Sequence, residues 1–124
     1  ALEIRAYGNL DPTARALAAH DWLEVQPIRA ISAQVLAWDL GPGETAVLEL
    51  ARTYPGSTAV IDDLAGRRCA EALGLSLRGT VGLVLAAKQA GRLTAARPVL
   101  ENLRDSGMYL SDAVLQRALR RVGE

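Results

Sequence analysis

Hydrophobic and polar positions along this chain follow two rhythms, and the switches between them mark its elements. Asp11 followed by Pro12 has the form of an N-cap and a first helical residue, and residues 14–19 supply a short helical run. Over residues 22–28 the period falls to two. Leu23 and Val25 take one face and Glu24 and Gln26 the other, which predicts a strand ended by Pro27. Ile31, Val35 and Trp38 return to helical spacing within residues 30–39. Gly41-Pro42-Gly43 breaks the chain, and residues 44–53 predict a helix that turns Val47, Leu48 and Ala51 inward before residues 54–56 end it.

The second half repeats the alternation of short apolar runs and amphipathic helices. Residues 58–61 are apolar, partly β-branched and bounded by turn chemistry, as in a fully buried strand. Asp62 and Asp63 end it, and either caps the helix predicted over 64–73, which Gly74 stops. Residues 75–77 read as a further short strand. Thr80 is placed to cap a nearly all-apolar helix over 81–90, whose lack of polar surface predicts a place inside the fold or at a subunit contact. Thr94 is placed to cap the next helix, with Ala96, Val99, Leu100 and Leu103 inside, Arg97, Glu101 and Arg104 outside, and Gly107 at its end. Ser111 caps the last, with Val114, Leu115, Ala118, Leu119 and Val122 toward the core and Arg117, Arg120 and Arg121 toward water. Strands separated by helices of about ten residues imply parallel βαβ units, hence a layered α/β domain whose ligands gather at the carboxyl ends of the strands.

Composition narrows the choices. A chain of 124 residues, half of them hydrophobic, is expected to form one domain over residues 1–124. The single cysteine, Cys69, excludes an internal disulfide scaffold and points to a reducing, cytoplasmic setting. Fourteen basic residues balance fourteen acidic ones, so any nucleic-acid binding must be local rather than driven by bulk charge. The most apolar stretch, residues 81–87, falls far short of the roughly 20 residues that span a bilayer, and no membrane association is expected. Residues 2–7 read like the end of an element rather than a start, so an earlier segment is expected in front of Ala1.

Few catalytic residue types remain. His20, the only histidine, has no second ligand at metal spacing and reads as a helix-end residue. Cys69 shares a helical stripe with Ala65, Ala72 and Leu73 and reads as a small buried hydrophobe. Nucleophile elbow, Walker loop and dinucleotide fingerprint are all missing. Acid chemistry is left. Asp62 and Asp63 stand where the crevice rule puts a ligand, and one of them suffices as a helix cap. Two adjacent carboxylates repel unless something positive compensates, either Arg67 and Arg68 or a divalent cation held by carboxylates. Glu44, in the first turn of its helix, interacts favourably with the helix dipole.

Three stretches carry a resemblance: Gly41-Pro42-Gly43-Glu44-Thr45-Ala46, then Ala59-Val60-Ile61-Asp62-Asp63-Leu64-Ala65-Gly66-Arg67-Arg68, then Arg78-Gly79-Thr80-Val81-Gly82-Leu83-Val84-Leu85-Ala86-Ala87-Lys88. In this order and spacing the chain resembles the PIN-domain superfamily, in a prokaryotic branch of predicted nucleic-acid-binding proteins related to VapC-type toxins.

That resemblance implies a three-layer α/β fold with a short parallel sheet flanked by helices, and a nuclease whose acidic residues bind Mg²⁺ or Mn²⁺ to cleave RNA. Glu44 matches the acid of the central helix, and Asp62 or Asp63 the acid after the buried strand. Arg67, Arg68 and Lys88 are the implied phosphate contacts. Where many PIN domains have a further acid this chain has Gly79-Thr80; Thr80 then holds a metal-bound water or only caps its helix. The superfamily's first strand, with its aspartate, is expected before Ala1, and Glu3 is a poor substitute. A metal-dependent ribonuclease, the toxin of a toxin–antitoxin pair, is the leading expectation, with RNA as substrate and a homodimer or a small antitoxin protein as partner. A non-catalytic RNA- or protein-binding module of the same fold is the alternative, and a small-molecule-binding domain is the weakest.

Overall fold

The computed structural model describes residues 12–124. Helices α1 (Pro12–Ala19), α2 (Ala33–Leu36) and α3 (Pro42–Thr53) precede strand β1 (Ala59–Val60). Helix α4 (Leu64–Ala72), strand β2 (Leu77–Arg78) and helices α5 (Thr80–Gln89), α6 (Arg97–Asp105) and α7 (Asp112–Arg121) follow. Two compact units result, one ending at Pro55 and the other covering Gly56–Glu124. The expected cap Asp11, the reading of residues 2–7 and Glu3 lie outside the described residues.

In the first unit α3 starts as its sequence requires. Gly41 is the N-cap, Pro42 takes the position where a missing N–H costs nothing, Glu44 sits in the first turn and Arg52 in the last. Leu48 and Ala51 are buried as expected, but Val47 points outward. The buried stripe instead includes Glu49, whose carboxylate is fully partnered: Oε2 accepts from the Ser32 N–H (3.2 Å) and hydroxyl (2.9 Å), and Oε1 from Arg52 Nη2 (2.8 Å). Ser32 also caps α2, a four-residue helix that buries Val35 and leaves Trp38 on the surface.

The strand expected over residues 22–28 does not form. That segment is irregular, with Trp22 and Val25 exposed. Alternation makes a strand only where a neighbouring strand takes its backbone bonds, and the only sheet among the described residues is that of β1 and β2. Residues 26–30 instead line a cavity of about 380 Å³ together with Glu49, Leu50, Thr53 and Tyr54.

In the second unit β1 and β2 pair in parallel, Ala59 beside Leu77 and Val60 beside Arg78, with α4 as the crossover. The β1 run is half-buried rather than fully buried: Ala59 and Ile61 are covered and Val60 is 43% exposed, because only one face of the sheet meets a core. The second strand forms at Leu77–Arg78, slightly later than expected. Cys69 is fully buried, and burial pushes its thiol pKa up. The main core joins Val84 and Leu85 of α5, Leu100 of α6 and Leu115 and Leu119 of α7. Leu100, with no exposed surface, contributes roughly 1.5–3 kcal/mol from burial alone. The apolar α5 is inside only at Val84 and Leu85; most of its other residues are half-buried and Leu83 is exposed, and Val114, expected in the core, is also on the surface.

Two expected caps differ. Ser111 caps α7 as predicted, accepting from the Val114 N–H. Thr94 does not cap α6. The Glu124 carboxylate does so, accepting from the N–H groups of Ala96 (2.7 Å) and Arg97 (3.2 Å), which holds its pKa below the usual range. Thr80 is the first residue of α5, with Gly79 as N-cap, and makes no side-chain cap.

Candidate functional site

Parallel pairing brings the carboxyl ends of β1 and β2 side by side, and the chain leaves each strand into a helix: Asp62-Asp63 into α4, Gly79-Thr80 into α5. The paired aspartates divide between these two helix starts. Asp63 is the N-cap of α4, and its Oδ2 accepts from the Gly66 N–H at 3.0 Å. Asp62 reaches across to α5, where Oδ1 accepts from the Thr80 N–H (2.8 Å) and Oδ2 from the Thr80 hydroxyl (2.5 Å). Each carboxylate thus meets the positive end of a different helix, which answers their mutual repulsion without an ion pair. Among the described residues neither aspartate is bridged to a basic side chain. Both remain exposed to solvent.

Arg67 comes from the first turn of α4 and bends back, donating from Nη1 to the Ile61 carbonyl at 3.2 Å. A methyl group on Gly79 would stand 2.8 Å from that Nη1 and 3.1 Å from Asp62 Oδ1, so glycine leaves the space in which guanidinium and carboxylate approach. Arg68 is on the exposed side of the same helix. Lys88, near the end of α5, donates to the Thr94 carbonyl (2.6 Å) and lies 3.7 Å from the Glu124 carboxylate, so its charge is spent on closing that helix.

Glu44 belongs to the first unit. It is half-buried in the first turn of α3 and folds back on the helix start, its Oε2 lying 2.7 Å from the point that a Cβ on Gly41 would occupy. The hydroxyl of Thr45 donates to the Gly41 carbonyl at 2.8 Å and fixes this turn. Glu44 and the aspartates thus stand at similar places, the beginnings of helices, in separate units.

His20 ends α1, its Nδ1 donating to the Ala16 carbonyl (2.8 Å) and its ring edge-on to Trp22, in keeping with a helix-end role. Three arginines that the sequence assigned no chemistry, Arg78, Arg117 and Arg121, share with Asp62 and Arg67 the lining of a cavity of about 430 Å³. Their convergence depends on how α7 lies against α5, which no local pattern records. Among the described residues no three histidine, cysteine or acidic side chains cluster as a metal centre. As a donor set, however, two solvent-facing carboxylates at a strand end suit a hard divalent cation, which takes oxygen ligands and keeps several waters.

A βαβ unit with acids at its carboxyl edge defines the class, a mixed α/β domain, mostly helical, built on a short parallel sheet. The chain belongs to a PIN-domain family: DUF3368, a PIN domain, matches residues 1–124. The match supports a nuclease-like module in general, of a kind that generally uses divalent metal ions. No curated protein and no solved structure matches the chain. Among the described residues no helix is long and apolar enough to cross a membrane.

Proposed function

We propose that the chain is one PIN-like domain acting as a metal-dependent ribonuclease, with Glu44, Asp62 and Asp63 as the carboxylates that hold Mg²⁺ or Mn²⁺. The observation that carries this reading is the pair of exposed aspartates at the carboxyl end of a parallel strand in a PIN-family chain. When bound, such a cation supplies a more acidic water and stabilises charge on a phosphoryl oxygen. The residues themselves have separable tasks. Thr80 orients Asp62 through two hydrogen bonds, leaving further lone pairs on its oxygens for a cation. Asp63 spends one oxygen on α4 and keeps the other. Arg67 and Arg68 are the proposed phosphate contacts; Lys88 joins them only by releasing Thr94 and Glu124. RNA is the proposed substrate and the cytoplasm the proposed location. A homodimer, or a pairing with a small antitoxin protein, is the proposed assembly, with exposed Leu83 on α5 as a contact.

A second reading, a non-catalytic module that binds RNA or protein, draws on one observation: both aspartates already have structural work as partners of helix starts. Incubation of a labelled single-stranded RNA with the protein in Mn²⁺ separates the two. The nuclease reading expects cleavage that is abolished by EDTA and by Asp62→Asn and Glu44→Gln; binding without cleavage supports the second.

A further inference from the structure

The cavity beside Asp62 gathers positive charge that no salt bridge among the described residues neutralises. Arg67 from α4, Arg78 at the end of β2, and Arg117 and Arg121 one turn apart on α7 all line it, with Asp62 as its one acid. That acid is engaged by Thr80, and Arg67 by the Ile61 carbonyl. Among the described residues, the side chains of Arg78, Arg117 and Arg121 take part in no ion pair or hydrogen bond. Arginines four apart on one helix face repel and weaken the helix, and in a chain with fourteen basic and fourteen acidic residues this local excess is not a by-product of overall charge.

Glycines give this cluster its space. A Cβ on Gly82, inside α5, would stand 3.1 Å from Arg78 Cγ, so the arginine stem lies flat against the helix there. At Gly79, the N-cap of α5, it is the Arg67 guanidinium that takes the space. A glycine inside a helix costs about 1 kcal/mol relative to alanine, and the return on it here is the position of a guanidinium. The floor is apolar, formed by Leu77, Val81 and exposed Val114.

We propose that this cavity seats consecutive phosphodiester groups of a single-stranded RNA, with Arg78, Arg117 and Arg121 as its phosphate contacts and the apolar floor beneath sugar and base. The inference rests on the ribonuclease reading and extends it: Asp62 lines the same cavity, so a strand whose phosphate lies at the aspartates continues onto the arginines. Planar guanidinium forks match phosphate oxygens two at a time.

Fluorescence anisotropy of a short fluorescein-labelled single-stranded RNA, measured in EDTA over a series of salt concentrations, tests it. Replacing Arg78, Arg117 and Arg121 together by glutamine is expected to weaken binding at least about tenfold, and to make the dependence of log K on log salt shallower by about 2, at roughly 0.7 per phosphate contact. Lysine at the same positions restores the slope, and circular dichroism melting shows that both variants fold. Glutamine variants that match the wild type in affinity and slope would overturn the proposal. So would a wild type that does not bind RNA, or polyglutamate displacing the RNA as well as polyphosphate does, which marks an acidic protein as the partner. Cleavage of the same RNA in Mn²⁺ is scored separately. Arginine-dependent binding with cleavage unchanged in Glu44→Gln removes the metal-site reading and leaves the phosphate site. Arginine-independent binding with cleavage lost in Glu44→Gln does the reverse.

Discussion

Asp62 and Thr80 are joined twice, by the backbone N–H and by the hydroxyl of the threonine, and this link ties the end of β1 to the start of α5. Thr80→Val keeps the shape and the backbone bond but removes the hydroxyl. We expect a loss of about 1 kcal/mol in urea unfolding, and Thr80→Ser should recover most of it. A valine variant as stable as the wild type would show that the hydroxyl bond carries no weight in solution.

Asp63 is expected to separate structure from chemistry. As N-cap of α4 it should tolerate Asn or Ser with little change in stability, whereas Asp63→Ala should cost about 1 kcal/mol. If Asp63 also holds the metal, the Asn variant stays folded and loses Mn²⁺-dependent cleavage. Full cleavage in that variant would leave Asp63 with its capping role alone.

Glu49 links pH to stability in the first unit. The Arg52 hydrogen bond holds its carboxyl below the usual glutamate range, with help from Ser32 and against the opposing effect of burial. A depressed folded pKa stabilises the fold above the ordinary glutamate value of about 4.3 and is lost as pH falls through the lower folded value. Urea midpoints should therefore decline on acidification below that point, and Glu49→Gln should flatten this part of the profile while costing about 1–2 kcal/mol at neutral pH. An unchanged acid limb in Glu49→Gln would assign the decline to other groups.

Cys69 provides a probe of opening. Fully buried and with its thiolate disfavoured by desolvation, it should react with a disulfide reagent only as the second unit unfolds. Labelling should be slow in buffer and rapid in urea; prompt labelling of native protein would mean that α4 detaches readily.

Much of this was legible in the sequence wherever the signal is local. Pro42, the caps Asp63 and Ser111, and the stripe of Ala96 and Leu100 all behave as their neighbours in the chain predict. The errors share a cause, dependence on partners distant in sequence. Residues 22–28 alternate correctly but have no strand to pair with. Thr94 was displaced as cap by Glu124, and Thr80 turned from its own helix end to Asp62. Glu49 drew no attention because its partner Ser32 lies in another helix start, and the arginines of α7 read correctly as solvent-facing without revealing what they face.

Paramagnetic Mn²⁺ tests most directly the proposal that Glu44, Asp62 and Asp63 are the carboxylates that hold the metal. In an NMR titration of the labelled protein, the amide signals of Glu44, Asp62 and Asp63 should broaden together at the same Mn²⁺ concentration. Glu44→Gln should weaken the effect at the aspartates as well as at its own position. Broadening confined to the aspartates and indifferent to Glu44→Gln, or no selective broadening at any of the three, would contradict the account.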